Sequence, residues 1–220
     1  TWGAIAIGAS NVTVGGNIYL ESNVKIYNRQ SGQSANINAI IQDGLTSNNT
    51  ITFATISNTS PIKLNSVSTY SGSTVIADAS AIETTVINAL PTTTRLTFSN
   101  SGSKYTFSAN ATIGNIAGGD GTAIITAPNN TVQLTWGNTA DTSAVVNDTY
   151  IGSITGGNLR KVGANSTSTI VGTISTTGSV SVVKGNLVIG NGVSASGDIT
   201  AASEVNVSFG GNVVYWRNDT

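Results

Sequence analysis

The chain has 220 residues, a formal charge of −1 and 9% charged residues, with no Cys, His or Met. At 39% hydrophobic residues it lacks the low-hydrophobicity, high-charge signature of disorder. Without His or Cys it excludes Ser-His-Asp and Cys-His catalysis and the usual zinc sites, and its nine scattered basic residues exclude a stripe that tracks phosphates.

The first segment, Trp2-Gly3-Ala4-Ile5-Ala6-Ile7-Gly8-Ala9, carries no charge. Read as a strand, it points Ile5, Ile7 and Ala9 one way and Trp2, Ala4 and Ala6 the other. Both faces are apolar, which predicts a strand buried on both sides. Two readings follow. The strand fills its own domain, or it inserts into a neighbouring subunit by β-strand addition, with these residues as the subunit contact.

Short strands follow at residues 11–14 and 17–20 around Gly15-Gly16, and again at 23–27 and 50–56. Residues 80–90 place Ile82, Val86 and Leu90 at helical spacing. The β-branched run Thr84-Thr85-Val86-Ile87 makes a strand at least as good a reading. Residues 95–99 and 104–108 flank Asn100-Ser101-Gly102-Ser103, a hairpin signal that would put Leu96, Phe98, Tyr105 and Phe107 on one buried face. Residues 123–126 and 131–136 flank the turn Pro128-Asn129-Asn130. Aromatics are then absent from Tyr150 to Phe209, while Gly-x-[Ile/Val]-[Ser/Thr] recurs at Gly152, Gly172, Gly178 and Gly197. Gly-Asn-aliphatic recurs at Gly16, Gly157, Gly185 and Gly211. That texture fits a meander of short strands or a solenoid. Near the two ends, Ala9-Ser10-Asn11-Val12-Thr13-Val14-Gly15-Gly16-Asn17-Ile18 is echoed by Ala202-Ser203-Glu204-Val205-Asn206-Val207 and Gly210-Gly211-Asn212-Val213.

The expected fold is all-β: an antiparallel sandwich whose C-terminal third is a Gly-rich meander or solenoid-like region. Residues 1–10 form the N-terminal strand, 11–150 the sandwich and 151–220 the Gly/Ser/Thr-rich region on the same core.

Little chemistry suggests itself. Asp141 and Asp148 are the best carboxylate pair and read better as loop solvation than as glycosidase acids. Gly118-Gly119-Asp120-Gly121 reads as a tight turn, with calcium at Asp120, Asp141 or Asp148 as the weaker alternative. Trp2, Trp136 and Trp216 lie too far apart in sequence to favour a carbohydrate platform over core packing, and Tyr215-Trp216-Arg217 reads as an exposed anchor. Asn-x-Ser/Thr begins at Asn11, Asn48, Asn58, Asn110, Asn129, Asn147, Asn165, Asn206 and Asn218, against roughly seven such triplets expected by chance. No apolar run suits a membrane span. The chain opens Thr1-Trp2-Gly3 without Met, which predicts a mature exported protein, extracellular or on a cell surface.

The Gly-Asn-[Ile/Leu/Val] and Ser-Gly-Asp-Ile-Thr style of residues 185–213, with residues 11–20, resembles bacterial autotransporter passengers and phage tail-fibre repeats. The whole-chain character, with its apolar first strand, resembles subunits of extracellular filaments or pili assembled by strand donation. Those resemblances imply a non-enzymatic structural subunit, with further copies of itself as partner and no cofactor. The alternative is an adhesin or receptor-binding fibre domain with a glycan or protein ligand.

Overall fold

The computed structural model describes residues 3–9, 12–99, 101–137, 145–193 and 197–218. Every strand pairing in it is parallel, and the chain winds as a β-solenoid of about 9 turns. The antiparallel sandwich expected from the sequence is therefore wrong. Residues 95–98 and 104–107 show why. They do not pair with each other. Arg95–Phe98 pairs with Thr74–Ile76 and with Asn115–Thr126, whereas Lys104–Phe107 pairs with Ala81–Thr84 and again with Asn115–Thr126. The Gly-containing link between them turns a corner instead of reversing the chain. A bend and a reversal draw on the same turn residues, so the local signal did not separate them.

Each coil contributes strands to as many as three faces. The first face runs from Gly3–Ile7 through Val24–Asn28, Ile51–Thr55, Thr74–Ile76 and Arg95–Phe98. It continues through the leading halves of Asn115–Thr126 and Val146–Thr155 to Ser166–Ile170, Gly185–Ile189 and Gly211–Tyr215. The second runs from Thr13–Val14 to Asp198–Thr200. The third is broken: Asn17–Leu20 pairs with Ile40–Asp43, and pairing resumes only at Ala111–Ile113, to continue through Gln133–Trp136, Asn158–Lys161 and Ser179–Val182 to Glu204–Val207. The first-face ladder crosses residue 150 without interruption, so the winding is one architecture on both sides of that position.

Alternation within each strand sends every second side chain inward, and parallel register stacks them in columns. On the first face the column is Ile5, Ile26, Phe53, Ile76, Phe98, Gly118, Tyr150, Ile170, Ile189 and Tyr215. Gly118 is the one member without a side chain. The Phe98 and Tyr150 rings meet across it at 5.0 Å between centroids. A Cβ there would stand 2.0 Å from the Phe98 carbonyl oxygen, and the residue has φ +81°. On the second face Ile62, Ile82, Tyr105, Ile125, Ile154, Ile174 and Ile199 stack in the same way. Leu96, Phe98, Tyr105 and Phe107 are all buried, as the sequence suggested, but they enter the core from two faces.

Polar residues buried at corners are satisfied by the turn backbone they hold. The Asn28 amide donates to Gln33 O and Ser60 O and accepts from the Gln30 N–H. Tyr70, Thr74 and Thr94 form a buried hydroxyl chain that ends on Gly72 O. Such pairing is what makes a buried polar group tolerable.

Candidate functional site

A concavity lies beside the break in the third face. Residues 67–70 and 86–90 form no strands and are tied by three backbone bonds, Thr69 N–H to Ile41 O, Ser68 N–H to Ala89 O and Asn88 N–H to Asn110 O. Beside them lies a groove of about 580 Å³, bordered by Asn88, Asn110, Thr112, Gln133, Thr135 and Arg160, with Lys184 at its far end and Ala111, Val162 and Val183 among its apolar lining. Register explains this lining. Thr112, Thr135 and Arg160 are successive outward residues of one column, and Ala111 belongs to the inward column beside it. Two amides also brace the coils: Asn88 Oδ1 accepts from Thr112 N–H, and Asn110 Oδ1 from Gln133 N–H. The Arg160 guanidinium has no ion-pair or hydrogen-bond partner among the described residues. No Asp or Glu lines the groove.

Behind that surface lies Lys161. It occupies an inward column between Trp136 and Val182 and is fully buried. Its ammonium donates to Ser166 Oγ at 2.6 Å, to Ser166 O and Val162 O, and to Lys184 O. Burial pulls its pKa down to about 8. With no exposed surface it cannot act on a solute. It clasps the 162–166 corner to the next coil. No sequence pattern marks Lys161, since only stacking places it in the core.

The solenoid ends are the other distinctive surfaces. Ile5, Val12, Val14 and Ile18 at one end, and Ile199, Ala202 and Val213 at the other, are only half-covered core residues. At the second end Val205, Val207, Phe209, Tyr215 and Trp216 are exposed.

The residues singled out in the sequence scatter over these features. In the first strand Ile7 is buried, Ile5 half-buried, and Ala4, Ala6 and Ala9 exposed, so burial is one-sided; Trp2 lies outside the described residues. The strand's inner edge pairs with Val24–Asn28 of the same chain. Asp148 is buried and accepts from the Arg95 guanidinium, and Asp141 lies outside the described residues. Asp120 caps its own turn, accepting from the Thr122 N–H and hydroxyl. Among the described residues no group of three or more acidic side chains could hold a metal, and no helix is long and apolar enough to cross a membrane. Trp136 is fully buried and Trp216 exposed, so those two share no platform. Asn48, Asn58, Asn110, Asn129, Asn147, Asn165, Asn206 and Asn218 are all exposed, and Asn11 lies outside the described residues. The echoed end segments lie at opposite ends of the solenoid and at different corners: Thr13–Val14 to Asn17–Leu20 turns from the second face to the third, and Glu204–Val207 to Gly211–Tyr215 from the third to the first.

The described residues define a parallel β-solenoid with a polar groove on its third face. The chain matches no protein-family model, no curated protein and no solved structure.

Proposed function

We propose that the chain is an extracellular structural subunit that assembles head to tail into a filament, the end of one solenoid stacking on the start of the next. One observation carries this reading: among the described residues, the first rung is paired on its inner side alone and carries no edge-blocking residue. Soluble β proteins blunt exposed edges with charges, proline or bulges. Residues 3–20 contain no charged residue and no proline. Among the described residues, Gly3–Ile7, Thr13–Val14 and Asn17–Leu20 each have a partner strand on one side only. The last rung presents Gly211–Tyr215, Asp198–Thr200 and Glu204–Val207 on the same three faces and with the same polarity. Stacking the two would extend every parallel ladder and cover the half-buried core residues at both ends. A head-to-tail contact that does not close generates a filament. Addition works through the outer edge of the first strand, because its inner edge is already occupied.

A single substitution addresses that edge. Gly3 N–H donates to Asn23 O, and Ile7 O accepts from the Arg29 N–H. Parallel alternation therefore turns the N–H of Ala4 and Ala6 outward. Ala6→Pro removes an edge donor and leaves the chain's own ladder intact. Sedimentation velocity over a concentration series should show growing polymers for the native chain and a monomer for Ala6→Pro at the same melting temperature. A native chain that stays monomeric throughout, or a variant that polymerises equally, would contradict the proposal.

A further inference from the structure

We infer that the third-face groove is a binding site for an acidic oligosaccharide, with Arg160 as its carboxylate-recognising residue. This goes beyond the filament reading and does not depend on it, because the groove lies on the side of the rod and not at an end.

The charge argument comes first. Arg160 is half-buried and unpaired among the described residues, Lys184 stands at the same groove, and no acid lines it. Two other cations pair internally, Lys63 with Glu83 and Arg95 with Asp148, whereas Arg160, like Lys25, Arg29 and Lys104, has no ion pair among the described residues; what sets Arg160 apart is its place in a groove without an acid. A guanidinium presents a planar fork that matches a carboxylate with two parallel bonds. Left without an internal partner in a concave site, it is suited to an external one.

The lining then selects the ligand class. With the Asn88 and Asn110 oxygens bound to backbone N–H groups and the Thr135 hydroxyl donating to Gln133 Oε1, the groove offers the amide N–H groups of Asn88, Asn110 and Gln133 and the Thr112 hydroxyl, and Ala111, Val162 and Val183 offer aliphatic surface. A sugar ring needs both, with hydroxyls for the amides and C–H faces for the aliphatics. An extended peptide fits less well. Ala111–Ile113 is the edge of its sheet, but its outer side is partly taken: Asn110 O accepts from the Asn88 N–H and the Thr112 N–H donates to Asn88 Oδ1, which leaves too few groups for strand pairing. A nucleic acid would require a longer basic track. The groove borders five successive coils, from Asn88 to Lys184. At one rung per 4.7–4.9 Å it is about 19 Å long, enough for a short oligosaccharide. Trp136 lies beneath the sheet and offers no stacking surface, so recognition rests on charge and hydrogen bonds. Binding should therefore weaken as salt rises.

The test is isothermal titration of the full chain with a galacturonic-acid trimer, its carboxyl-reduced neutral counterpart and a short poly-glutamate peptide. The acidic trimer should bind at least roughly tenfold more tightly than either of the others. Arg160→Gln should lose about tenfold in affinity with an unchanged circular dichroism spectrum and melting temperature, and Arg160→Lys should recover only part of it. Gln133→Ala serves as a second, milder probe of the same wall. Absence of binding, equal binding of the neutral trimer, peptide binding as tight as the trimer, or an unaffected Arg160→Gln would each overturn the assignment. Because Ala6→Pro should bind the trimer normally, failure of the filament reading and failure of this one give different results.

Discussion

An interior rung and an end rung of this solenoid are built from the same residue types and differ in what covers them. Phe53 is stacked between Ile26 and Ile76 and is fully buried. Ile5 occupies the same column two rungs further out, has Ile26 as its neighbour on the inner side, and is half-buried. The two ends also differ from each other. The first rung is uncharged over residues 3–20, whereas the last carries Asp198, Glu204 and Arg217 beside exposed Phe209, Tyr215 and Trp216. Stability in such a fold belongs to neighbouring pairs of rungs, and repeat proteins of this kind need capped ends to stay soluble. The comparison teaches that burial here depends on whether a rung is covered on both sides, and not on residue type alone.

The largest expected effect is in the interior. Trp136→Ala removes the largest fully buried side chain and should cost about 3–5 kcal/mol in urea unfolding. Ile5→Ala, in an equally apolar strand at the end, should cost less than about 1 kcal/mol; similar losses at both positions would break the interior–end distinction.

Lys161 sharpens the same contrast through pH. Its folded pKa, about 8, lies below the model-peptide value of 10.5, so between these values the unfolded chain binds the extra proton. Stability should then rise with pH across that window, by about 1–3 kcal/mol. Tyr70, Tyr105 and Tyr150 act oppositely. Burial raises all three phenols above 10, Tyr105 to about 12, so the folded state holds their protons longer and stability should fall above pH 10. Lys161→Met should remove the rise, keep the fall, and lower stability near pH 7 by about 1–3 kcal/mol because Val162 O, Ser166 O and Lys184 O lose their donor. A native chain whose urea midpoint does not rise between pH 8 and 10 would show that the lysine is not buried as described. The smallest effect on folding is expected for Ala6→Pro, whose consequence appears only in assembly.

The strands were legible in the sequence, and their connectivity was not. Ile154, Ile174 and Ile199 stack directly, which makes Gly152, Gly172 and Gly197 a true repeat at one corner. A Cβ on Gly172 would meet Gly152 O at 2.1 Å, so that repeat is enforced by close backbone approach. Gly178 has the same pattern but opens a third-face strand, and mixing the two faces hid the period. The coils also vary from 19 to 32 residues along the first-face column, because insertions such as Gly119–Thr122 are accommodated at corners. Gly185 and Gly211 are partners in register, while Gly157 with the same motif starts a strand on another face. Arg160 could not be picked out from its neighbours in the sequence, because only the stacking of Thr112, Thr135 and Arg160 makes a groove wall of them.

Head-to-tail stacking has a direct signature in fibre diffraction from the concentrated, aligned native chain. Continuous parallel ladders should give a strong reflection at about 4.7–4.9 Å along the fibre axis, since the rungs of every subunit stack in that direction. Fibres with that spacing across the axis, or a solution that yields no fibres at any concentration, would contradict assembly through the open ends.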